Sequence, residues 1–435
     1  MPLVRCALAT LSRVPPAESV TTVRPAVEVD PRDVGVAPEA VRRMWAAVER
    51  LYGSGIHPAI ALCVRRHGQV LLDRAIGHAA GNGPTDPEDA PRTLATPDTP
   101  FGLLSATKAV TAMVVHLLDQ WNMLRLDDPV CEYIPGFGVR GKRWITIRHV
   151  LTHRAGLPQP PREALDLGLL DDPEAIVRVL CAMPLASRPG RQLAYHAISG
   201  GFILGEVVRR VTGVSIRAVH DAAVRRPLGL RWMRYGIPAR DLPAVAVNHF
   251  TGFPALPPIS LALRRALGVD FYEAIDISND PRFLTGVVPA ASMVATADEL
   301  CRYFQLLLND GVLGGVRVFE PRTVRRATAE QSYLEFDLTL GVPLRYGMGF
   351  MLGGRYLSFF GPDTPHAFGH LGLTNVVAWA DPERQVAVAL LTSGKPLFHP
   401  ALYHAWDLLR QIGQGCPKVS DGAGGRPRAG GPPMP

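Results

Sequence analysis

Alternating apolar residues stand at both ends of this chain with helical spacing between them, and that separation constrains the fold more than any other feature of the sequence. "AIALCVRRHGQVLLDRAIGHA" (59–79) reads as two strands about a turn at His67-Gly68, and "TNVVAWADPERQVAVALLTSG" (374–394) as two more about Asp381-Pro382-Glu383-Arg384. From 101 to about 290 the chain reads as mostly helical, with proline-punctuated connections such as "PLASRPGRQ" and "TGFPALPPIS". Strands so far apart share a core most simply in one sheet. The expected fold class is α/β (α+β): an antiparallel sheet built from the N- and C-terminal segments, flanked by helices, with an inserted mostly helical lobe. "APEAVRRMWAAVERLYGSG" (37–55) supplies one flanking helix, with Val41, Met44, Trp45, Val48 and Leu51 on one side and Gly53 to stop it. "ATADELCRYFQLLLNDG" and "HPALYHAWDLLRQIG" supply two more. The expected organisation is an irregular arm over 1–37 and one domain over 38–415. Its sheet lobe comes from about 38–100 and 291–415, its helical lobe from about 101–290. A Gly/Pro-rich tail over 416–435 is expected to be disordered.

Composition narrows the partners. The chain has 435 residues, 47% of them hydrophobic and 20% charged, which supports a large core. Its net charge of +7 comes from scattered arginines, with no basic run interleaved with aromatics and no zinc-finger or RNP-like pattern, so no nucleic acid partner is expected. Six cysteines fall singly, without CxxC, and predict reduced thiols rather than a disulfide framework. The opening "MPLVRCALATLSRVPP" lacks a signal-peptide apolar stretch and no window reaches 18 apolar residues, so a cytoplasmic chain without an integral membrane segment is expected. "GFGVRG" (136–141) lacks the strand-to-helix context of a dinucleotide site. The pairs His149/His153 and His366/His370 are not HExxH, and no metal or other cofactor is expected. G-x-S-x-G is absent, which argues against an α/β-hydrolase lipase.

Lysine is scarce, at four of the 46 basic residues. A guanidinium keeps its proton in a protein whereas an ammonium gives it up in suitable surroundings, so Lys108 in "LLSATKAV" is a candidate for a group that must deprotonate. Ser105 stands just before a helix whose apolar stripe is Val110, Met113, Val114, Leu117, Leu118 and Trp121. Unpaired N–H groups and the positive dipole end at a helix start suit an oxyanion formed there. Lys108, one turn later, is near enough to bond the serine hydroxyl. Ser-x-x-Lys is thus a nucleophile with a base at helical distance; the plainer reading is an N-cap serine and a solvated lysine.

The surrounding "TPFGLLSATKAVTAMVVHLLDQWNMLRLDDPVCEYIPGF" and "ITIRHVLTHRAGLP" resemble the serine β-lactamase-like hydrolases, the superfamily of class C β-lactamases, DD-peptidases and related family VIII-type esterases. "PGRQLAYHAISGGFILGEVVRRVTG" resembles that family's Tyr-x-Asn segment, and "VVPAASMVATADELCRYFQLLLNDG" the segment leading to its last long helix. "FGHLGLTNVVAWADPERQVAVALLTSG" resembles the strand that carries Lys-Thr-Gly in β-lactamases and His-x-Gly in many esterases. The resemblance spans about 38–412 and keeps the family's order.

It implies that Ser105 is the acylated nucleophile and Lys108 its proton partner. Tyr195 is the phenol that shares the proton, its ionised form favoured by the Lys108 ammonium. His370 and Gly372 border the site, and the backbone N–H groups of Ser105 and Leu373 form the oxyanion hole. Of the neighbours Tyr195 and His196, the tyrosine is the expected base partner. Four positions depart from the pattern. Ala197 replaces the asparagine of Tyr-x-Asn, removing an amide that holds a β-lactam or peptide group, and His370 replaces a permanently charged lysine. Both changes lean toward esters. Thr374-Asn375 stands where relatives commonly have two glycines, which predicts a narrower loop. The expected protein is a metal-free serine hydrolase acting on carboxylic esters through an acyl-enzyme on Ser105, with a small ester or amide substrate. The alternatives on this scaffold are a β-lactamase, a D-amino-acid peptidase, an acyltransferase or a non-catalytic binding homologue.

Overall fold

The structure, a computed structural model, describes residues 10–159 and 166–419. Most of the segment for which the sequence predicts a disordered tail, 420–435, lies outside the described residues. The alternation read from the sequence sorts the sheet into two unlike faces. In Ala59–Arg66, Ala59, Ala61 and Cys63 lie on one face and Ile60, Leu62 and Val64 on the other. Ala378, Ala380, Ala387 and Ala389 continue the small-residue face across Val376–Asp381 and Val386–Thr392, while Val377, Trp379, Val386 and Val388 continue the bulky one. The small face leaves room for Leu300, Cys301 and Phe304 of the helix Ala297–Leu308 to reach the sheet. Against the bulky face pack Met44, Val48 and Leu51 of the helix Pro38–Gly53 and Leu408 and Ile412 of the helix Leu402–Gly415.

The sheet is antiparallel and joins the two ends of the chain, because Val386–Thr392 pairs directly with Ala59–Arg66. On one side of that junction follow Gln69–Ala80 and Thr21–Val23; on the other follow Val376–Asp381, Phe368–Gly372, Met351–Leu352, Val342–Tyr346 and, at the edge, Ser332–Asp337. The turn at His67-Gly68 takes φ values of 51° and 80°. The N-terminal arm departs from the expectation of irregular structure, since Thr21–Val23 adds a strand beside Gln69–Ala80. Three residues are too few for a period of two to show, so only the neighbouring edge reveals the strand.

The helix Thr107–Gln120 also departs from its expected form. Instead of one buried stripe, every residue from Thr107 to Asp119 is buried, and Trp121 beyond its end is 47% exposed. It runs through the middle of the molecule, touched by the helices Ser199–Thr212 and Pro321–Thr328 and by the strand Phe368–Gly372. A helix enclosed on all sides has no solvent face to keep polar, and its first turn opens where helices and sheet meet. Among the described residues no helix is long and apolar enough to cross a membrane.

Candidate active site

Ser105 does not cap this helix. It lies in a 3-10 turn, Leu104–Ala106, that runs directly into Thr107–Gln120. Leu104 before it has φ of 49°, the left-handed region that a leucine adopts only under constraint. Lys108 is not solvated either, being 8% exposed. Its Nζ donates to Ser105 Oγ at 3.0 Å and to the Ala290 carbonyl at 3.1 Å, and stands 5.0 Å from the centre of the Tyr195 ring. The Tyr195 ring in turn lies 4.6 Å from His153 and 6.2 Å from His370. Ser105, Lys108, Tyr195 and His370, four positions read from three separate motifs, therefore converge.

Gly372 owes its identity to a close approach. A Cβ there would stand 2.5 Å from the Leu103 carbonyl oxygen, so the strand Phe368–Gly372 reaches the Ser105 segment only with glycine at this point. Leu373 follows and enters a turn in which Thr374 and Asn375 have φ of 42° and 50°. Glycine suits such backbone better, and the turn is tied down by side chains instead. Thr392 Oγ1 donates to the Asn375 carbonyl at 3.3 Å, and Asn375 Nδ2 lies 3.5 Å from His57 Nε2.

Electrostatics correct one expectation. Burial pushes the Lys108 ammonium down to about 7, from an ordinary value of 10.5. Burial also pushes the Tyr195 phenol up; the Ser105 hydroxyl acts in the lowering direction, and the Asp337 carboxylate adds to the rise. Tyr195 Oη makes no hydrogen bond of ordinary geometry among the described residues, and burial outweighs the lowering influence of Ser105. Desolvating an ammonium and a phenolate together costs more than their attraction returns. Near neutral pH the phenol keeps its proton, and the Lys108 ammonium, at about 7, is in balance with the neutral amine.

The surrounding imidazoles are neutral as well. Burial takes His196 and His370 down to about 3 and His153 well below its usual range. His370 Nδ1 donates to the Leu371 carbonyl at 2.7 Å. His196 Nε2 accepts from the Leu157 N–H at 3.3 Å, and His153 Nδ1 accepts from the His196 N–H at 3.2 Å. The His149/His153 pair does not form a ligand pair, because the helix Ile147–Leu151 ends before His153 and His149 closes the helix's own capping box with Thr146. Sequence reasoning treated His153 only as half of that pair; its place beside Tyr195 comes from a residue φ of 58° that turns it inward.

One neighbour of the site is set by a glycine in the helix Ser199–Thr212. A Cβ on Gly201 would stand 2.5 Å from Ala290 N and 2.7 Å from Ala290 Cβ, and Ala290 is the residue whose carbonyl holds Lys108. Gly201→Ala is expected to destabilise the fold by about 1–3 kcal/mol through overpacking and to lower ester turnover as Ala290 shifts. Thermal unfolding and a turnover assay on the same sample check both; unchanged values would show that the helix yields instead.

Comparison with known proteins identifies the family and the fold. A family model described as Beta-lactamase matches residues 43–411. The chain is 30% identical over 386 residues to the esterase/beta-lactamase LipL of Mycobacterium tuberculosis, covering 81% of this chain and 84% of that protein. Among solved structures, a penicillin-binding protein homologue from Caulobacter crescentus superposes with a TM-score of 0.75 at 27% identity, over 88% of this chain and 99% of that one. A family VIII carboxylesterase superposes with a TM-score of 0.72 at 25% identity, over 86% of this chain and 98% of that one.

Proposed function

Because the chain belongs to the β-lactamase family, we propose that it hydrolyses carboxylic esters through an acyl-enzyme on Ser105. The observation that carries this reading is Lys108 Nζ, 3.0 Å from Ser105 Oγ and with its ammonium brought down to about 7. As a neutral amine Lys108 takes the hydroxyl proton while Ser105 Oγ attacks the ester carbonyl. The N–H groups of Ser105 and Leu373 receive the developing oxyanion. The Tyr195 phenol gives its proton to the departing alkoxide and is reprotonated from Lys108. A water then attacks the acyl carbonyl, its proton passes to the same pair, and Ser105 leaves with a proton restored.

Esters are favoured over β-lactams by what the site lacks for holding a carboxylate or an amide. His370 is buried and its imidazole uncharged near neutral pH, and the side chain following Tyr-His is the methyl group of Ala197. The family VIII carboxylesterase is named for ester hydrolysis alone, which supports the same choice, whereas LipL is named for both activities. Free thiols at Cys63, Cys131, Cys181, Cys301 and Cys416 support a reducing, cytoplasmic setting. A p-nitrophenyl ester chain-length series beside nitrocefin, with Ser105→Ala as the blank, tests the reading. Short esters should turn over repeatedly and nitrocefin slowly or not at all. Efficient nitrocefin turnover without esterase activity would reverse the assignment, and absence of fluorophosphonate labelling at Ser105 would favour a binding homologue.

A further inference from the structure

Tyr195 belongs to no helix or strand, so no regular ladder fixes where its phenol points. Hydrogen bonds grip its segment from two sides instead. On one side the Ala194 N–H donates to the His153 carbonyl at 3.1 Å and the His196 N–H to His153 Nδ1 at 3.2 Å. On the other the Leu338 N–H donates to the Leu193 carbonyl at 3.0 Å, and the Tyr195 N–H donates to Asp337 Oδ1 at 3.1 Å.

Asp337 ends the edge strand Ser332–Asp337 and is fully buried. Oδ1 also accepts the N–H groups of Thr339 at 2.8 Å and Leu340 at 3.0 Å, and Oδ2 accepts the Tyr346 hydroxyl at 3.2 Å. Among the described residues no arginine or lysine forms an ion pair with it. A carboxylate buried without a countercharge is costly unless hydrogen bonds satisfy it. Here those bonds lead to Tyr195 by two routes. One is the Tyr195 N–H itself. The other runs through Tyr346, whose ring stands 5.1 Å from His153, which in turn backs the Tyr195 ring at 4.6 Å. The same negative charge opposes ionisation of both phenols.

We infer that Asp337 is a positioning residue that holds the Tyr195 phenol in place against Lys108 and Ser105. The inference rests on the proton-transfer role proposed for Tyr195 above. Asp337→Ser separates this role from a local one, because a serine hydroxyl still serves the N–H groups of the following turn but is too short to reach Tyr195. With folding confirmed by circular dichroism, Asp337→Ser should lower kcat on a p-nitrophenyl ester by about 10²-fold, as expected for a misplaced reacting group, with KM nearly unchanged. Asp337→Asn, which keeps the accepting oxygen, should recover most of that loss. The double variant Asp337→Ser, Tyr195→Phe should be no slower than Tyr195→Phe alone. A folded Asp337→Ser at full kcat, or losses that multiply in the double variant, would overturn the inference. If Asp337→Ser does not fold, Tyr346→Phe takes its place in the same cycle, and full kcat there has the same force. Full activity in Tyr195→Phe would instead bring down the proton-transfer reading beneath it, a result the cycle reports separately.

Discussion

Lys108→Arg is expected to lose at least the roughly 10²- to 10⁴-fold in kcat/KM that accompanies lost acid–base catalysis. The substitution keeps a positive charge near Ser105, so it separates charge from proton transfer. Arginine cannot become a neutral base at any accessible pH. Lys108 can, because it is buried in the first turn of its helix and held by the Ala290 carbonyl, with burial as the single cause lowering its ammonium to about 7. The pH dependence follows in sign. The active form is the unprotonated amine, so wild-type kcat/KM should be low below about 7 and climb as pH rises through that value. The rise should be missing from the residual activity of Lys108→Arg. A Lys108→Arg enzyme with near-normal turnover would remove the lysine from the proton path; a wild-type rise that continues past pH 8 without levelling would show that its ammonium is not depressed, and a flat profile between pH 5 and 8 would show that no amine titrating near 7 controls the rate.

The reason Lys108 stood out in the sequence was only half sound. Lysine is scarce in this chain, yet Lys142 and Lys395 are fully buried too. Lys142 Nζ donates to the carbonyls of Cys181 and Met183 at the end of the helix Pro173–Ala182, and Lys395 Nζ to the Thr392 carbonyl at 2.6 Å. Scarcity marks places where a compact ammonium fits inside the fold, and the serine three residues earlier is what distinguishes Lys108. The sheet was legible because alternation is local: each strand carries its own record of which face is small and which bulky. Asp337 was not legible, because its partner Tyr195 is 142 residues away and an acidic residue closing "SYLEFD" reads as solvent-facing. The protonation of Tyr195 escaped for a related reason. A lysine nearby argues for a phenolate, and only the folded enclosure shows that desolvation outweighs it.

Tyr195→Phe and His196→Ala should fail in different ways, and the contrast tests the site more sharply than either alone. The two residues are adjacent, and histidine, with an ordinary pKa near 6.5, is by composition the better base at neutral pH. In the fold its imidazole is spoken for. His196 Nε2 accepts the buried Leu157 N–H, and burial takes the ring down to about 3, so near neutral pH its accepting nitrogen is occupied and the ring takes up no second proton. Removing it leaves that N–H unpaired, which should cost about 1–3 kcal/mol of stability and little turnover. Tyr195 has the opposite profile: its hydroxyl makes no structural hydrogen bond, while its ring lies beside Lys108 and His370. Tyr195→Phe should therefore stay folded and lose about 10²-fold or more in kcat, the loss expected for an acid–base group. One ester assay and one thermal melt on each variant decide it. An inactive His196→Ala beside an active Tyr195→Phe would move proton transfer to the imidazole, and with it the purpose of the bonds that hold the tyrosine in place.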